Sequence, residues 1–360
     1  MANQIAKHNE KATLFPIFQP VTGLARMAAE ATHVADGHQV EFRAMEVRSI
    51  LNKSVSRRQL RFGWSINPYR GCEFGCQYCY ARYTHGFLAP KGEAESGDDL
   101  RDPRTFERLI YMKENASWLL EQELRKHNPA GEIALGTATD PYQPIERTAG
   151  ITRSLLEVFA KRSGLRLGIV TKSKLIERDI DLLKEISRKN TLVLHLTITT
   201  PDDNLARILE PRAPRPELRF AAVRRLREAG LTAGVMCSPL LPGISDTVAA
   251  LDRMAGLASA ARASFFIAEP LFLKSCSRPT FLGFVREHFP HLLAEYESRF
   301  SKDDFATPAY RRELARRVDL ASRRHGLGRR STDALLTREH TLGPKQPVPV
   351  GHERQAALFA

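Results

Sequence analysis

From about Arg61 onward the chain alternates between two hydrophobic periods, and few folds accommodate that. Short β-rich runs occur at Phe62–Ile66, Leu109–Met112, Glu132–Leu135, Leu165–Val170, Thr191–Thr197, Thr232–Met236 and Ser264–Ile267. Between several of them lie segments of helical period. Ala116–Lys126 places Trp118, Leu119 and Leu124 around an apolar stripe, and Thr152–Lys161, Arg178–Arg188, Glu217–Ala229 and Thr247–Ala260 repeat the pattern. Strands alternating with such helices build right-handed βαβ units on a mostly parallel sheet. About six units over roughly 215 residues predict a partial or full α/β barrel. A doubly wound open sheet is the structural alternative.

Residues 1–60 lack a sustained period and are broken by Pro16, Pro20, Gly23 and Gly37, so an irregular N-terminal extension is expected there. The barrel is expected over 61–275, a basic helical region without further strands over 276–335, and a flexible tail over 336–360. With 42% hydrophobic and 26% charged residues, the 360-residue chain can bury a full-sized core. No apolar run approaches the roughly 18 residues of a membrane span. The opening MANQIAKHNEKATLF lacks the apolar stretch of a secretory signal. A cytoplasmic protein without a membrane partner is therefore expected. The net charge of +13 favours polyanionic partners, nucleic acid first.

Five cysteines occur, at 72, 76, 79, 237 and 276. An odd count with one tight cluster is poor material for disulfides and reads as metal binding. The cluster lies in Asn67-Pro68-Tyr69-Arg70-Gly71-Cys72-Glu73-Phe74-Gly75-Cys76-Gln77-Tyr78-Cys79-Tyr80, just after the first barrel strand, with spacing C-x3-C-x2-C. A [4Fe–4S] cluster normally takes four thiolates. Here the chain supplies three, which leaves one iron open to a substrate or cofactor. A structural zinc site, with His85 as fourth ligand, is the alternative.

The C-x3-C-x2-C loop, with an aromatic directly before its last cysteine, resembles the radical S-adenosylmethionine (SAM) superfamily. The wider text INPYRGCEFGCQYCYAR resembles the spore photoproduct lyase-like branch. The likeness continues through Gly136-Thr137-Ala138-Thr139-Asp140-Pro141-Tyr142-Gln143-Pro144-Ile145-Glu146, Val170-Thr171-Lys172-Ser173 and Ser238-Pro239-Leu240-Leu241-Pro242-Gly243. It implies a partial (β/α)6 barrel in which Cys72, Cys76 and Cys79 hold a [4Fe–4S] cluster. It also implies that an external electron donor reduces the cluster, that SAM chelates the open iron, and that SAM is cleaved to a 5′-deoxyadenosyl radical, which abstracts hydrogen from the substrate.

The resemblance assigns further residues. Tyr78 matches the aromatic near the adenine, Thr139 and Asp140 match SAM contacts, and Lys172 matches a partner for the SAM carboxylate. Thr197 matches a hydroxyl position near the ribose, with Thr199 and Thr200 as competitors. Tyr80 matches a tyrosine of the radical relay. Spore photoproduct lyases carry a further cysteine some forty residues past the cluster as hydrogen donor, whereas this stretch has Trp118, Leu119, Glu121 and Gln122 and no cysteine. Cys276, after the last strand, is the candidate replacement. Cys237 reads as a buried packing residue.

Four arginine pairs, Arg311-Arg312, Arg316-Arg317, Arg323-Arg324 and Arg329-Arg330, form a basic helical face with Leu314, Val318 and Leu320 available for packing. Such a face either neutralises phosphates or pairs with Glu313 and Asp319. The tail Gln355-Ala356-Ala357-Leu358-Phe359 resembles peptides that bacterial replication proteins insert into the sliding clamp. The expected function is a radical SAM enzyme acting on nucleic acid, DNA favoured and damaged DNA foremost. Action on RNA, a peptide or a small molecule is the alternative, as is a non-catalytic DNA-associated iron–sulfur protein.

Overall fold

A seven-stranded sheet organises the molecule. The computed structural model describes residues 22–37, 39–53, 62–89, 99–127, 129 and 131–328. In chain order its strands are β1 (Thr32–Gly37), β2 (Val40–Met45), β3 (Asn52–Lys53), β4 (Phe62–Ile66), β5 (Tyr69–Arg70) and β6 (Leu109–Lys113). They are followed by β7 (Glu132–Leu135), β8 (Arg166–Thr171), β9 (Thr191–Thr197), β10 (Ala233–Leu240) and β11 (Phe266–Pro270). The large sheet has the order β11-β10-β9-β8-β7-β4-β3. Its strands β4, β7, β8, β9, β10 and β11 are parallel neighbours throughout, and β3 is added antiparallel at the β4 edge.

That order rules out the doubly wound alternative. A doubly wound sheet reverses its strand order at a switch point, whereas here six parallel strands follow one another without reversal. This is the arrangement of a partial (β/α)6 barrel. Helices Ile151–Ala160, Ile180–Lys189, Pro216–Glu228 and Val248–Ala260 are the crossovers between successive strands from β7 to β11. Leu155, Leu156 and Phe159, then Leu183 and Ile186, then Val223 and Leu226 belong to one core with Leu167, Ile169, Leu192, Leu194 and Leu196 of the sheet. Each such side chain stabilises the fold by about 1.5–3 kcal/mol as an upper estimate. A separate cluster contains Val170, Val193, Met236, Phe265 and Ile267. In β8 and β9 these residues alternate with the core leucines and isoleucines, as a period of two requires.

Three expectations need correction. The N-terminal segment is not irregular over residues 23–53, where helix Gly23–Ala29 and strands β1 to β3 form. Val40, Phe42 and Met45 of β2 are buried; the alternation holds only from Val40 to Phe42, too short to stand out beside Gly37. Leu109–Lys113 does form a strand, but it pairs with β2 and β5 in a second, four-stranded sheet of order β1-β2-β6-β5 and not in the barrel. All five of its residues are buried. In helix Ala116–Lys126 the inward stripe is Ala116, Leu119, Leu120 and Leu124. Trp118 is 61% exposed, because 3.6 residues per turn carry it off that stripe.

Helices Arg278–His288 and Leu293–Arg299 follow β11. Their Phe281, Phe284 and Tyr296 form a third cluster with Phe74 and Tyr78 of the cysteine loop. Helix Pro308–Arg324 buries Leu314, Val318 and Ala321, while Leu320 stays exposed. No described helix is long and apolar enough to cross a membrane. Arg329-Arg330 and the Gln355–Phe359 motif lie outside the described residues.

Candidate active site

The site is built by the loop that leaves β4, and the backbone shape of that loop is fixed by two glycines on either side of it. Gly71 has φ +87°, and a Cβ there would lie 2.8 Å from the Leu109 and Phe106 carbonyl oxygens. Gly136, directly after β7, has φ +93°, and a Cβ would lie 2.6 Å from the Val170 carbonyl oxygen. Only glycine fits either place. Asn67 ties the two loops together: its Nδ2 donates to Thr137 Oγ1 at 3.2 Å and its Oδ1 accepts from the Ala138 amide at 2.7 Å.

One cavity of about 830 Å³, its open mouth included, sits at this end of the sheet. Cys72, Cys76 and Cys79 line it, together with Tyr78, Tyr80, Thr139, Asp140, Lys172 and Thr197. The lining draws on the C-terminal side of all six parallel strands, from the β4 loop round to Pro270 of β11 and to Phe272. Barrel enzymes place their chemistry at that face.

Further contacts shape the cysteine loop. The Cys72 amide donates to the Phe106 carbonyl at 3.0 Å, and the Cys79 amide to the Cys76 carbonyl at 3.1 Å. Arg82, 2% exposed, donates to the Cys76 carbonyl at 2.9 Å and to Glu107 at 2.8 Å. Ser277 Oγ donates to the Cys79 carbonyl at 2.6 Å. Burial pushes all three thiols up: Cys72 well above its ordinary value, Cys76 to about 12, and Cys79 in the same direction. They are therefore protonated at neutral pH unless a metal takes the proton's place.

The donor set suits a polynuclear cluster better than a single ion. Among the described residues, no three His, Cys, Asp or Glu side chains converge as one metal ion requires. An iron–sulfur cubane instead spreads its cysteines over separate irons. The fourth zinc ligand fails as well. His85 is not among the residues that line the cysteine-walled cavity; its ring packs on Phe106 and Tyr111, with Nε2 on the Leu109 carbonyl at 2.8 Å. The zinc alternative falls with it.

Thr139 and Asp140 serve the scaffold. Thr139 Oγ1 donates to the Gly71 carbonyl at 2.5 Å. Asp140 Oδ1 accepts from the Tyr142 amide at 2.9 Å and from Thr171 Oγ1 at 2.6 Å, while Oδ2 accepts from the Lys172 amide at 2.7 Å. Any ligand contact by these two side chains comes on top of that bracing. Lys172 Nζ stands 5.7 Å from the centre of the Tyr78 ring. Burial opposes its charge, but Cys76, Glu210 and Asp140 outweigh that and raise it above the ordinary lysine value.

Sequence reading missed what lies behind Tyr78. Its hydroxyl donates to Glu210 Oε1 and pairs with Thr199 Oγ1 at 2.9 Å. Glu210 Oε2 meets Arg219 Nη2 at 2.6 Å, and Arg219 Nη1 donates to the Thr197 carbonyl at 3.0 Å. Thr197 thus lines the cavity, whereas Thr199 belongs to this network. Burial alone would raise the Glu210 carboxyl, yet Arg219 and Lys172 hold it below its ordinary value. No spacing rule singles out Glu210 in the run Leu209-Glu210-Pro211-Arg212.

Tyr80 lines the cavity, and its hydroxyl donates to the Thr137 carbonyl. Cys276 is not among the lining residues. Its Sγ lies 3.6 Å from Ser277 Oγ. Cys237 is buried, with Sγ 3.4 Å from the Thr199 carbonyl.

Residues 66–254 match the family model of the radical SAM superfamily. This chain belongs to the radical SAM superfamily. Its enzymes use a [4Fe–4S] cluster and SAM, and the cavity walled by Cys72, Cys76 and Cys79 suits the pair. An uncharacterised protein of Mycobacterium tuberculosis, Rv2578c, is 31% identical over 320 residues, covering 89% of this chain and 86% of that protein. The spore photoproduct lyase of Clostridium acetobutylicum is 24% identical over 173 residues, 47% of this chain and 44% of the lyase. Among solved structures, a cysteine-to-serine variant of spore photoproduct lyase superposes with TM-score 0.55 at 15% identity, covering 85% of this chain and 84% of the lyase. Another variant, with bound AdoMet and dinucleoside spore photoproduct, gives 0.54 at 14% identity, with the same coverage. This radical SAM enzyme therefore shares the lyase's fold.

Proposed function

We propose that this radical SAM enzyme acts on nucleic acid, damaged DNA foremost. The observation that carries the reading is the cavity at the strand C-termini, walled by three cysteines and Lys172, in a fold shared with a lyase that has been solved with a dinucleoside photoproduct. The net charge of +13 supports a polyanionic substrate. On this reading Cys72, Cys76 and Cys79 hold the cluster, Lys172 meets the SAM carboxylate, and Tyr78 and Thr197 bound the nucleoside part. Cluster and SAM together supply a carbon-centred radical once an external donor provides an electron. The chain's own residues position the cofactor, exclude water and offer a hydrogen atom, for which Tyr80 is the group on the cavity wall.

The C-terminal arginine face contributes less to this than its sequence promises. Arg316 and Arg317 pair with Glu313, Arg323 with Asp319, and Arg324 with Asp252. Arg311 and Arg312 have no carboxylate partner among the described residues.

The test is anaerobic reconstitution with iron and sulfide, reduction, and assay of 5′-deoxyadenosine with and without irradiated DNA, using Cys76→Ala as control. Cleavage coupled to DNA and lost in the variant supports the reading. Cleavage that responds instead to RNA, a peptide or a small molecule would overturn the DNA assignment. A cluster-loaded, reduced protein that cleaves nothing would overturn the catalytic one.

A further inference from the structure

Beyond Tyr80, the cavity has an aromatic and cationic rim that none of the roles above uses. Tyr80 and Phe272, both on the cavity wall, lie 5.8 Å apart between ring centres. Phe272 stacks on Phe305 at 4.4 Å with planes 28° apart, and the Arg311 guanidinium stands 5.9 Å from the Phe305 ring. On the other side, Lys274 Nζ sits 5.3 Å from Phe272 and 5.4 Å from Tyr83. Tyr83 meets Phe87 edge-on at 5.6 Å. The chain of rings thus runs from the buried wall to the surface, where Tyr83 is 37% and Phe87 58% exposed. The carboxylate on this rim, Asp304, is engaged by Arg278 at 3.0 Å and by Lys274 at 3.7 Å.

Exposed rings gathered in one place, unlike a lone exposed ring, mark an interaction surface. Rings interleaved with cations match one kind of partner: an unpaired nucleotide, whose base stacks on a π-face while its phosphates meet the ammonium and guanidinium groups. A paired duplex keeps its bases stacked on each other and presents no free face to Tyr83 or Phe87. Chemistry on a base in a duplex requires it to leave the stack. We infer that Tyr83 and Phe87, with Lys274 and Arg311, form a stacking platform that receives an unpaired nucleotide of a DNA strand at the cavity mouth. This inference rests on the nucleic-acid reading above.

The test is fluorescence anisotropy of a labelled oligothymidine, single-stranded and in duplex, with the reconstituted full chain across a salt series. Single strand is expected to bind tighter than duplex. Tyr83→Ala and Phe87→Ala should each weaken single-strand binding about 5- to 150-fold while leaving the salt slope unchanged. Tyr83→Phe keeps the ring and should keep the affinity, whereas Phe87→Leu keeps only the apolar bulk and should lose it. Arg311→Gln should lower the salt slope by about 0.7, the share of one phosphate contact. Iron content and melting temperature show that each variant is folded. Undiminished binding by both alanine variants would overturn the platform and leave the DNA reading standing. Equal loss in Tyr83→Phe and Tyr83→Ala would also overturn it. A wild-type protein that binds neither strand form would sink both.

Discussion

Arg219 and Glu210 meet at 2.6 Å with both side chains 1% exposed, directly behind the tyrosine of the cysteine motif. The pair is connected at both ends: Glu210 accepts from Tyr78 and Thr199, and Arg219 donates to the Thr197 and Pro214 carbonyls. A buried ion pair of this kind gains little over an apolar pair of the same volume, but breaking it leaves a charge stranded.

Arg219→Met is therefore expected to destabilise the protein by roughly 3–5 kcal/mol, and Glu210→Leu by a similar amount, in denaturant titrations. The double variant should be less damaged than the sum of the two. Additive losses would show that the pair is not coupled. Because the Glu210 pKa is depressed on folding, its contribution is present above the unfolded carboxylate pKa and fades as pH falls through the folded value. Arg219→Met should therefore flatten the acid limb of the stability curve.

Lys113 is a penalty where Glu210 is a gain, although its depressed pKa likewise makes stability rise with pH. It is 4% exposed, its Nζ donates to the Asn67 carbonyl at 2.6 Å, and burial, helped by Arg70, pushes its pKa down to about 7. Between that value and the ordinary lysine value the unfolded chain binds the extra proton, so stability rises with pH across this window. Below it the penalty is full and constant. Lys113→Met is expected to melt higher than wild type near neutral pH, with the gap narrowing towards about pH 9. A gap independent of pH would show that Lys113 titrates normally.

How much of this was legible in the chain depends on what fixes each feature. The C-x3-C-x2-C spacing is a local pattern that needs no tertiary contact, so Cys72, Cys76 and Cys79 stood out before any fold was known. Strands β7 and β9 were legible to the residue because central strands of a parallel sheet are buried on both faces and read as short, nearly continuous apolar runs. Glu210 and Arg219 were not, since they sit on a loop and a helix that come together only through the β9–β10 crossover. Thr139 and Asp140, singled out from the motif, line the cavity, but their side-chain partners, Gly71, Tyr142, Thr171 and Lys172, emerge only once the loops are packed. Trp118 misled because a large apolar residue need not share the stripe of its neighbours.

Gly136 offers a direct test of how tightly the cavity floor is built. With φ +93° and the Val170 carbonyl 2.6 Å from any Cβ, Gly136→Ala must strain the backbone or move the 137–140 loop. A loss of about 1–3 kcal/mol is expected from thermal melts, together with weaker SAM binding by calorimetry, because Thr137, Ala138, Thr139 and Asp140 all line the cavity. Wild-type melting and SAM affinity in the variant would mean that the loop relaxes freely.

The last prediction separates the two residues that compete for the hydrogen-atom step. Tyr80 stands on the cavity wall, anchored by its hydroxyl to the Thr137 carbonyl. Cys276 is off that wall, beside Ser277 and near Tyr83. A hydrogen atom moves only over near-contact distances, so the residue lining the cavity should matter more. Tyr80→Phe keeps the ring packed against Phe272 and removes only the hydroxyl. It is expected to leave iron content intact and to slow substrate turnover by about tenfold or more, a barrier increase of about 1.4 kcal/mol at least. Cys276→Ala should leave turnover and product distribution within error of wild type. The reverse pattern, a silent Tyr80→Phe and altered products from Cys276→Ala, would move the hydrogen donor to Cys276 and require the 272–277 segment to swing its thiol into the cavity during turnover.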